Sequence, residues 1–479
     1  MAAIIVLVII MVLSLLVALW SRRGRNVNKL DEFMVGGRSF GPFLLYFLLV
    51  GETYSIGTMI GFPGGIYAKG ASYGIWFIGY ILLGFAFGYF IRPLLWRAAK
   101  RYSAMTGPDL FRQHFASRGL ELLVVVSSII FLVPWGQLQF TGMVATFQAL
   151  NWHLNSITTV VIAGAIAFAY IAIAGMRAPA FVSLLKDFFM LTGILVVGIV
   201  AAVSMHGTSH LFRVAVIRGA SMTMTGSAGV FAITTIVYQA LGFGLSPFGL
   251  QALFSGKSEA VVKKSQTLMP LYMLMYPFLV IASYYMLIVA PHLKKPNEVF
   301  MIATVHLLPS WAVGAVAAGA VLSAVLVLSM VCLAIGSMVS RNVVVGLNPK
   351  QTRKWTQIVI FFYLMISMAI TVLDPKLMLT LINTSYYGTV QLLPGLLAIL
   401  FARRISATAV GSGIVVGDGL ALTMYFAKTH LFGINVGLLA LLTNFFVMYT
   451  VSRLTSYEPD NIAPVGIAVQ PRDSRSHGF

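Results

Sequence analysis

Runs of about twenty or more mostly apolar residues alternate along this chain with short connections rich in Arg, Lys, Gly and Pro. Thirteen such runs lie near 2 to 20, 41 to 67, 72 to 93, 120 to 148, 156 to 174, 183 to 205, 226 to 252, 266 to 290, 309 to 339, 355 to 373, 377 to 401, 405 to 427 and 432 to 452. Crossing the hydrocarbon of a bilayer takes about 20 helical residues, and a helix satisfies its own backbone there. The pattern therefore predicts an all-α polytopic membrane protein with about 13 transmembrane helices. Two runs are interrupted. The second carries Gly51, Gly57, Gly61 and Pro63-Gly64-Gly65, and the seventh carries Gly242, Gly244, Ser246 and Pro247 after Tyr238 and Gln239. Irregular backbone at membrane depth survives only where it is packed in protein or lines a cavity, so these breaks mark a path or a site. The plainer reading is that glycines let helices pack closely.

The interrupted runs are five apart, the relation expected of two five-helix inverted repeats that each open with a broken helix, here 41–205 and 226–403. One extra helix within 1–25 precedes them and two in 405–453 follow. Residues 454–479 read as a flexible cytoplasmic tail.

Composition agrees: 59% of residues are hydrophobic, 9% are charged and the mean hydropathy is +0.91. A net charge of +19 could point to nucleic acid, but the basic residues recur in alternate connections, as the positive-inside rule requires. With the N-terminus outside, only Lys69, Arg213, Arg218, Lys294, Lys295, Lys376 and Lys428 of the 32 Lys and Arg lie outside. The expected setting is a cell membrane, of the bacterial inner-membrane kind, with a cytoplasmic C-terminus, the lipid bilayer as partner and no nucleic acid. The first run is expected to be a retained helix and not a cleaved signal, because its positive charges follow the apolar segment. Cys332 is the only cysteine, which excludes disulfides and Cys-based metal sites. No phosphate-binding loop, metal cluster or nucleophile triad is apparent, so the chain reads as no enzyme and without cofactor. His114, His153, His206, His210 and His430 fall in connections, where solvated surface is expected.

Several segments carry a resemblance. Asp31 to Phe40, Ile60 to Tyr67 with Gly70, Arg92 to Arg97 with Thr106 to Arg112, Ser246 to Gln251 with Gly256 to Glu259, and Ser340-Arg341-Asn342 occur in an order that resembles the sodium:solute symporter family. The resemblance implies a leucine-transporter type of fold, a five-plus-five inverted repeat with extra helices at each end. Gly51 to Ser55, Val133 to Gln139 and Lys186-Asp187 are most similar to the family's monocarboxylate permeases, which take short acids such as pyruvate, lactate, acetate or propionate. One departure stands out. Sodium-coupled members place a hydroxyl pair on the ninth span, completing a sodium site with carbonyls of the broken helix, and here that pair falls on Leu326 and Val327. Neither side chain offers oxygen to a hard cation. Ser323 or Ser329 would serve if the match slipped by a turn.

Glu52 places a carboxylate near the middle of the second run, where an unpaired charge is costly and an ionisable residue points to function. With an acid gained and a hydroxyl pair lost, its protonation is expected to replace or assist sodium, leaving H+ or Na+ as coupling ion. The alternative is a structural glutamate bonded to Tyr54, Gln239 or backbone. Lys186-Asp187 is expected to begin the sixth span as an interfacial ion pair, or to gate the cation from the cytoplasmic side. Asp418 suits helix packing or an oligomer contact. Donors for a small carboxylate are expected from the half-helix at Gly242 to Ser246, from Tyr54, Ser55 and Thr58, from Gln137 and Gln139, and from Tyr238 and Gln239. Asn383, Ser385, Tyr386 and Gln391 would close the site, and no Arg or Lys is expected at membrane depth. The same side chains could instead bridge helices. Cation-coupled symport by alternating access is the leading reading. An uncoupled uniporter or channel, or a sodium symporter for an amino acid or sugar, is the alternative, and about 27 residues after the last run are too few for a signalling domain.

Overall fold

The computed structural model describes all residues except 22, 24–28, 151–155, 174, 225, 345, 403, 430, 456–463 and 466–479. His153, His430 and nearly all of the expected tail lie outside the described residues. Among those described, the chain is helical, with isolated bridges such as Phe40 to Gly256 in place of strands. The main helices are α1 (Ala2–Trp20), α2 (Pro42–Thr53 continued by Gly57–Lys69), α3 (Ala71–Arg101), α4 (Arg118–Ala149), α5 (Ser156–Ile173), α6 (Arg177–Ser204) and α7 (Gly226–Leu241 continued by Pro247–Phe254). They are followed by α8 (Glu259–Val289), α9 (Ser310–Val343), α10 (Lys350–Leu373), α11 (Met378–Phe401), α12 (Ala407–Phe426) and α13 (Val436–Leu454).

Ten of these are long and apolar enough to span a membrane by themselves, and the bent pair of α2 makes an eleventh. Of the other two expected spans, the break in α7 leaves Gly226–Leu241 as a 16-residue piece, and α5 is an 18-residue helix close to its expected bounds. The largest difference in bounds is α3, which was expected to end near residue 93 and continues to Arg101 with Pro93 inside it.

Burial follows composition. The apolar stretch of α9, rich in Ala, Val, Leu and Gly, is entirely buried, which places α9 at the centre against α1, α4 and α6. By contrast α1, α10 and α13 leave most of their apolar surface outward, the side that lipid covers.

The segments that carried the resemblance interlock at one end of the bundle. Thr106 caps helix Gly107–Phe115, and Asp109 of that helix meets Arg341 at 2.9 Å and Asn342 at 2.7 Å. Asn342 also donates to Glu121 at 2.7 Å, and Glu121 is held by Arg112 and Arg118 at 2.8 and 2.5 Å. Arg97 pairs with Glu259 at 2.7 Å, and Trp96 Nε1 donates to the Gly256 carbonyl at 2.8 Å. Arg177 pairs with Glu32 and donates to Ser39 at 2.7 Å. This end is called the Arg-rich end below. At the opposite end, Gly64 of α2 lies so close to the loop at Pro296 that a Cβ on it would be 2.6 Å from the Pro296 oxygen.

Candidate functional site

Both interrupted runs are broken helices. In α2 the first half ends at Thr53, Tyr54 leaves the helix at φ −100°, ψ 82°, and Ser55 Oγ accepts the Gly57 N–H at 3.1 Å. A π-helical turn, Gly57–Gly61, follows, and the axis bends by 40°. In α7 the helix stops at Leu241, and Gly244 takes φ +69°. A Cβ on Gly244 would sit 1.4 Å from Arg92 Nη2, so backbone and neighbour both demand glycine. Ser246 then caps the second half, its Oγ accepting the Gly249 N–H at 3.1 Å.

The two breaks are joined by charge. Ser246 Oγ donates to Glu52 Oε1 at 3.4 Å, and Glu52 Oε2 faces Arg92 Nη2 at 3.8 Å. Glu52 is therefore not the lone carboxylate expected, and its partners are not Tyr54 or Gln239. The expectation of no basic residue at membrane depth is also corrected. Because α3 continues past its expected end, Arg92 is a buried helical residue and not the start of a loop. Its Nη1 donates to Gln266 at 3.2 Å and its guanidinium lies 5.2 Å from the Phe243 ring centroid. Arg92 Nε and Nη2 have no hydrogen-bond partner.

Lys186 and Asp187 require the same correction. They sit nine residues inside α6, about 14 Å from its end at the usual rise. Both are buried, with Lys186 Nζ 2.5 Å from Asp187 Oδ1. The ammonium donates to the Tyr54 carbonyl at the α2 break, at 2.7 Å. Their early position in the apolar run suggests the interface, but α6 starts at Arg177, before the apolar run does, and this carries both residues to depth.

Rings connect Arg92 to α4: Phe243 to Tyr80 at 6.2 Å, Tyr80 to Tyr386 at 5.5 Å, Tyr386 to Trp135 at 6.3 Å and Trp135 to Phe248 at 5.6 Å between centroids. Trp135 Nε1 and both amide atoms of buried Gln139 lack hydrogen-bond partners. Gln139 follows Trp135 by one turn on α4, and one turn further Gly142 packs on Ile56 beside the α2 break. That face of α4 thus looks onto both breaks.

Other expected donors are used for helix bridging. Tyr238 and Gln239 bond Asn383, which also receives Asn435 of α13 at 3.1 Å and donates to Tyr387 at 2.9 Å. Gln137 donates to the Asp374 carbonyl at 2.6 Å. Gln391 bonds the Tyr387 carbonyl and Asn444, and Ser385 bonds the Leu381 carbonyl. In this structure these side chains hold helices together and are not turned to the two breaks. Tyr386 does face it, and the Thr58 hydroxyl meets Tyr276 at 3.5 Å. Gly57 abuts Ile382, and Gly242 abuts Tyr386 and Val390. Asp418 of α12 faces Ser127 of α4, a packing position. Pro247 is the first residue of the second half of α7.

On the α9 side, Leu326 fills the place opposite the α2 break. A Cβ on Gly51 would be 3.2 Å from Leu326 Cδ2 and 3.3 Å from Ser183 Cβ. Val327 is buried, and the Ser323 and Ser329 hydroxyls are turned onto their own helix, to Gly319 and Leu326 carbonyls, both at 2.7 Å.

Two histidines, His206 and His210, are exposed as expected. His114 is not: in helix Gly107–Phe115 it is buried and meets the Tyr102 hydroxyl at 2.9 Å. Burial, with Arg101 nearby, pushes its imidazole down to about 4.

Comparison with known proteins agrees with this geometry. The chain is 26% identical over 477 residues to the uncharacterized symporter YhjB of Bacillus subtilis, covering 95% of this chain and 97% of that one. It is likewise 26% identical to a monocarboxylate transport permease protein of Rhizobium johnstonii, covering 93% and 95%. A sodium/proline symporter of Staphylococcus aureus matches over 250 residues at 25% identity, about half of each chain. Among solved structures, a Na+-coupled sialic acid symporter superposes with a TM-score of 0.76 over 95% of this chain and 98% of that one, at 16% identity. The nucleobase-cation-symport-1 transporter Mhp1 gives 0.56 over 89% and 96%, at 14% identity. These likenesses establish the leucine-transporter type of fold. The profile of the sodium:solute symporter family matches residues 33–417, and the chain belongs to that family.

Proposed function

We propose that this protein is a secondary active transporter that carries a small monocarboxylate, such as pyruvate, lactate, acetate or propionate, together with a proton by alternating access. The observation that carries the reading is the set of buried donors without acceptors around the two breaks: Arg92 Nε and Nη2, Trp135 Nε1 and Gln139 Nε2. Buried polar groups in a native fold are almost always partnered, so donors left open together call for an acceptor ligand. A guanidinium matches a planar carboxylate with two parallel bonds, and the Tyr80, Tyr386, Trp135 and Phe248 rings form an apolar wall that suits a short tail. The name of the Rhizobium relative points the same way.

Proton coupling follows from the shared guanidinium. An incoming carboxylate competes with Glu52 for Arg92, and Glu52, deprived of its partner in a low-dielectric site, takes up a proton. Anion and proton are then bound in one event. The Arg-rich end faces the cytoplasm, the N-terminus lies outside, and the host membrane is of the bacterial inner-membrane type.

Proteoliposome uptake of labelled pyruvate, lactate and acetate under separate pH and sodium gradients tests this. Accumulation against a gradient with an inward proton gradient alone is expected. Accumulation driven by sodium alone would overturn proton coupling, and equilibration without accumulation would make the protein a uniporter. A Glu52→Gln protein that keeps its full response to a pH gradient removes Glu52 from the coupling step.

A further inference from the structure

We infer that the Lys186 ammonium is a resident cation standing where sodium-coupled relatives would hold their ion, so that sodium neither binds at the α2 break nor drives this chain through it. The residues present do not fit sodium. A hard cation needs several oxygens converging on one point. The Tyr54 carbonyl at the break is taken by Lys186 Nζ at 2.7 Å. The α9 wall facing Gly51 is the Leu326 side chain, the Ser323 and Ser329 hydroxyls are bound back onto α9, and the hydroxyl of Ser183, which flanks Gly51 from α6, is bound back to the Ala180 carbonyl of its own helix.

Charge argues the same way. Asp187, 2.5 Å from the ammonium, balances it within α6. From α2, Tyr46, Glu52 and Tyr54 belong to the same region, with Glu52 committed to Arg92, and from α8 come Tyr272, whose hydroxyl faces Asp187, and Tyr276. The span Ser310–Ser337 of α9 brings no acidic or basic side chain. A sodium ion about 4 Å from a buried ammonium would lose on the order of a thousandfold in affinity at an effective dielectric constant near 20. An ammonium tethered to α6 supplies the positive charge that the broken helix and Asp187 require, with no ion to gain or lose. The free choice of driving ion then passes to the Glu52–Arg92 pair.

The inference rests on the cation-coupled reading of the site but not on the identity of the substrate, so its test uses melting temperature as well as uptake. The purified wild type is melted in sodium chloride and in choline chloride at equal ionic strength, beside Lys186→Met and the triple variant Lys186→Ala, Leu326→Ser, Val327→Ser. The wild type is expected to melt alike in both salts. Lys186→Met, which leaves Asp187 and the Tyr54 carbonyl without a cation, is expected to melt several degrees lower and to transport at least about tenfold more slowly, with no recovery in sodium. The triple variant, given two hydroxyls and room, is expected to regain stability in sodium only. A wild type stabilised by sodium over choline overturns the inference, and so does a Lys186→Met protein that melts and transports like wild type. If Lys186→Met does not fold, Lys186→Arg decides: it retains the charge and is expected to be indifferent to sodium, and a sodium-stabilised Lys186→Arg refutes the idea. Failure of all monocarboxylates in wild-type uptake would sink the proposed substrate while leaving the melting comparison intact.

Discussion

Arg92 reaches both breaks at once, lying against Gly244 of α7 and 3.8 Å from Glu52 of α2. If its open Nε and Nη2 edge receives the substrate carboxylate, a lysine in its place retains the charge but loses the two parallel donors. Arg92→Lys is therefore expected to raise KM for a monocarboxylate by about ten- to a hundredfold in proteoliposome uptake, with a smaller change in Vmax. Unchanged KM would move the substrate elsewhere. At the same scale, His114 makes a prediction about stability that does not involve transport. Its imidazole is held near 4 in the fold, below the unfolded value of 6.5, so the folded protein binds fewer protons than the unfolded chain between these values. The stability this contributes is present above pH 6.5 and is lost as pH falls toward 4. Replacing His114 with Gln should flatten the wild-type decline of unfolding free energy over that window by an amount on the order of 1–2 kcal/mol, once partial solvent access is allowed for, and this is read as a shallower fall of melting temperature with pH. Parallel declines in wild type and variant would show that other groups set the acid limit.

At the scale of the element, the broken helix α7 depends on one position. Gly244→Ala combines a strained φ of +69° with a Cβ 1.4 Å from Arg92 Nη2, and the backbone cannot yield without moving the guanidinium. The expected result is a protein that assembles poorly or, where it folds, transports at least tenfold more slowly, whereas Gly411→Ala on α12, whose Cβ would meet only the tips of Leu120 and Leu123 at 3.5 Å or more, should be near neutral in the same uptake and melting assays. Such breaks are legible in a sequence, because Gly and Pro beside polar residues have few other uses at membrane depth. The basic residues beside them were hidden by the apparent ends of apolar runs. Arg92 and Arg97 look alike as loop charges, yet on a continuous helix they lie about 140° apart, so one turns inward to Glu52 and the other outward to Glu259. Lys186 was hidden likewise, because α6 begins at Arg177, well before its apolar stretch. The helix-bridging donors were hidden for a different reason: Tyr238 and Gln239 bond Asn383 of α11, and Asn383 is bonded in turn by Asn435 of α13, partners about 50 residues or more away that no local pattern announces.

On the scale of the whole molecule, charge is divided between the two ends. The Arg-rich end spends its cations on carboxylates, with Arg97, Arg112, Arg118, Arg177 and Arg341 all paired. The opposite end gathers Lys69, Lys294, Lys295 and Lys376 around one cavity of about 490 Å³, lined also by Thr141, Gln148 and Asn297. Lys295 and Lys376 have carboxylate partners, Glu298 at 3.3 Å and Asp374 at 2.8 Å, whereas among the described residues Lys69 and Lys294 have none. A concave site with uncompensated positive charge raises the local concentration of anions, and the effect fades once the screening length drops below the size of the cavity. In the proposed orientation this end faces outward, and the cavity would be the first part of the protein that the proposed anionic substrate meets. Uptake at substrate concentrations below KM should then fall as ionic strength rises from about 10 to 300 mM, while Vmax stays constant. Lys69→Glu with Lys294→Glu should raise KM about two- to tenfold and abolish that salt dependence, leaving Vmax unchanged because neither residue touches the two breaks. A salt dependence that survives the double substitution would place the attraction elsewhere, and an equal fall in Vmax would mean that the lysines act on the closing of α2 against the Pro296 loop and not on arrival of the anion.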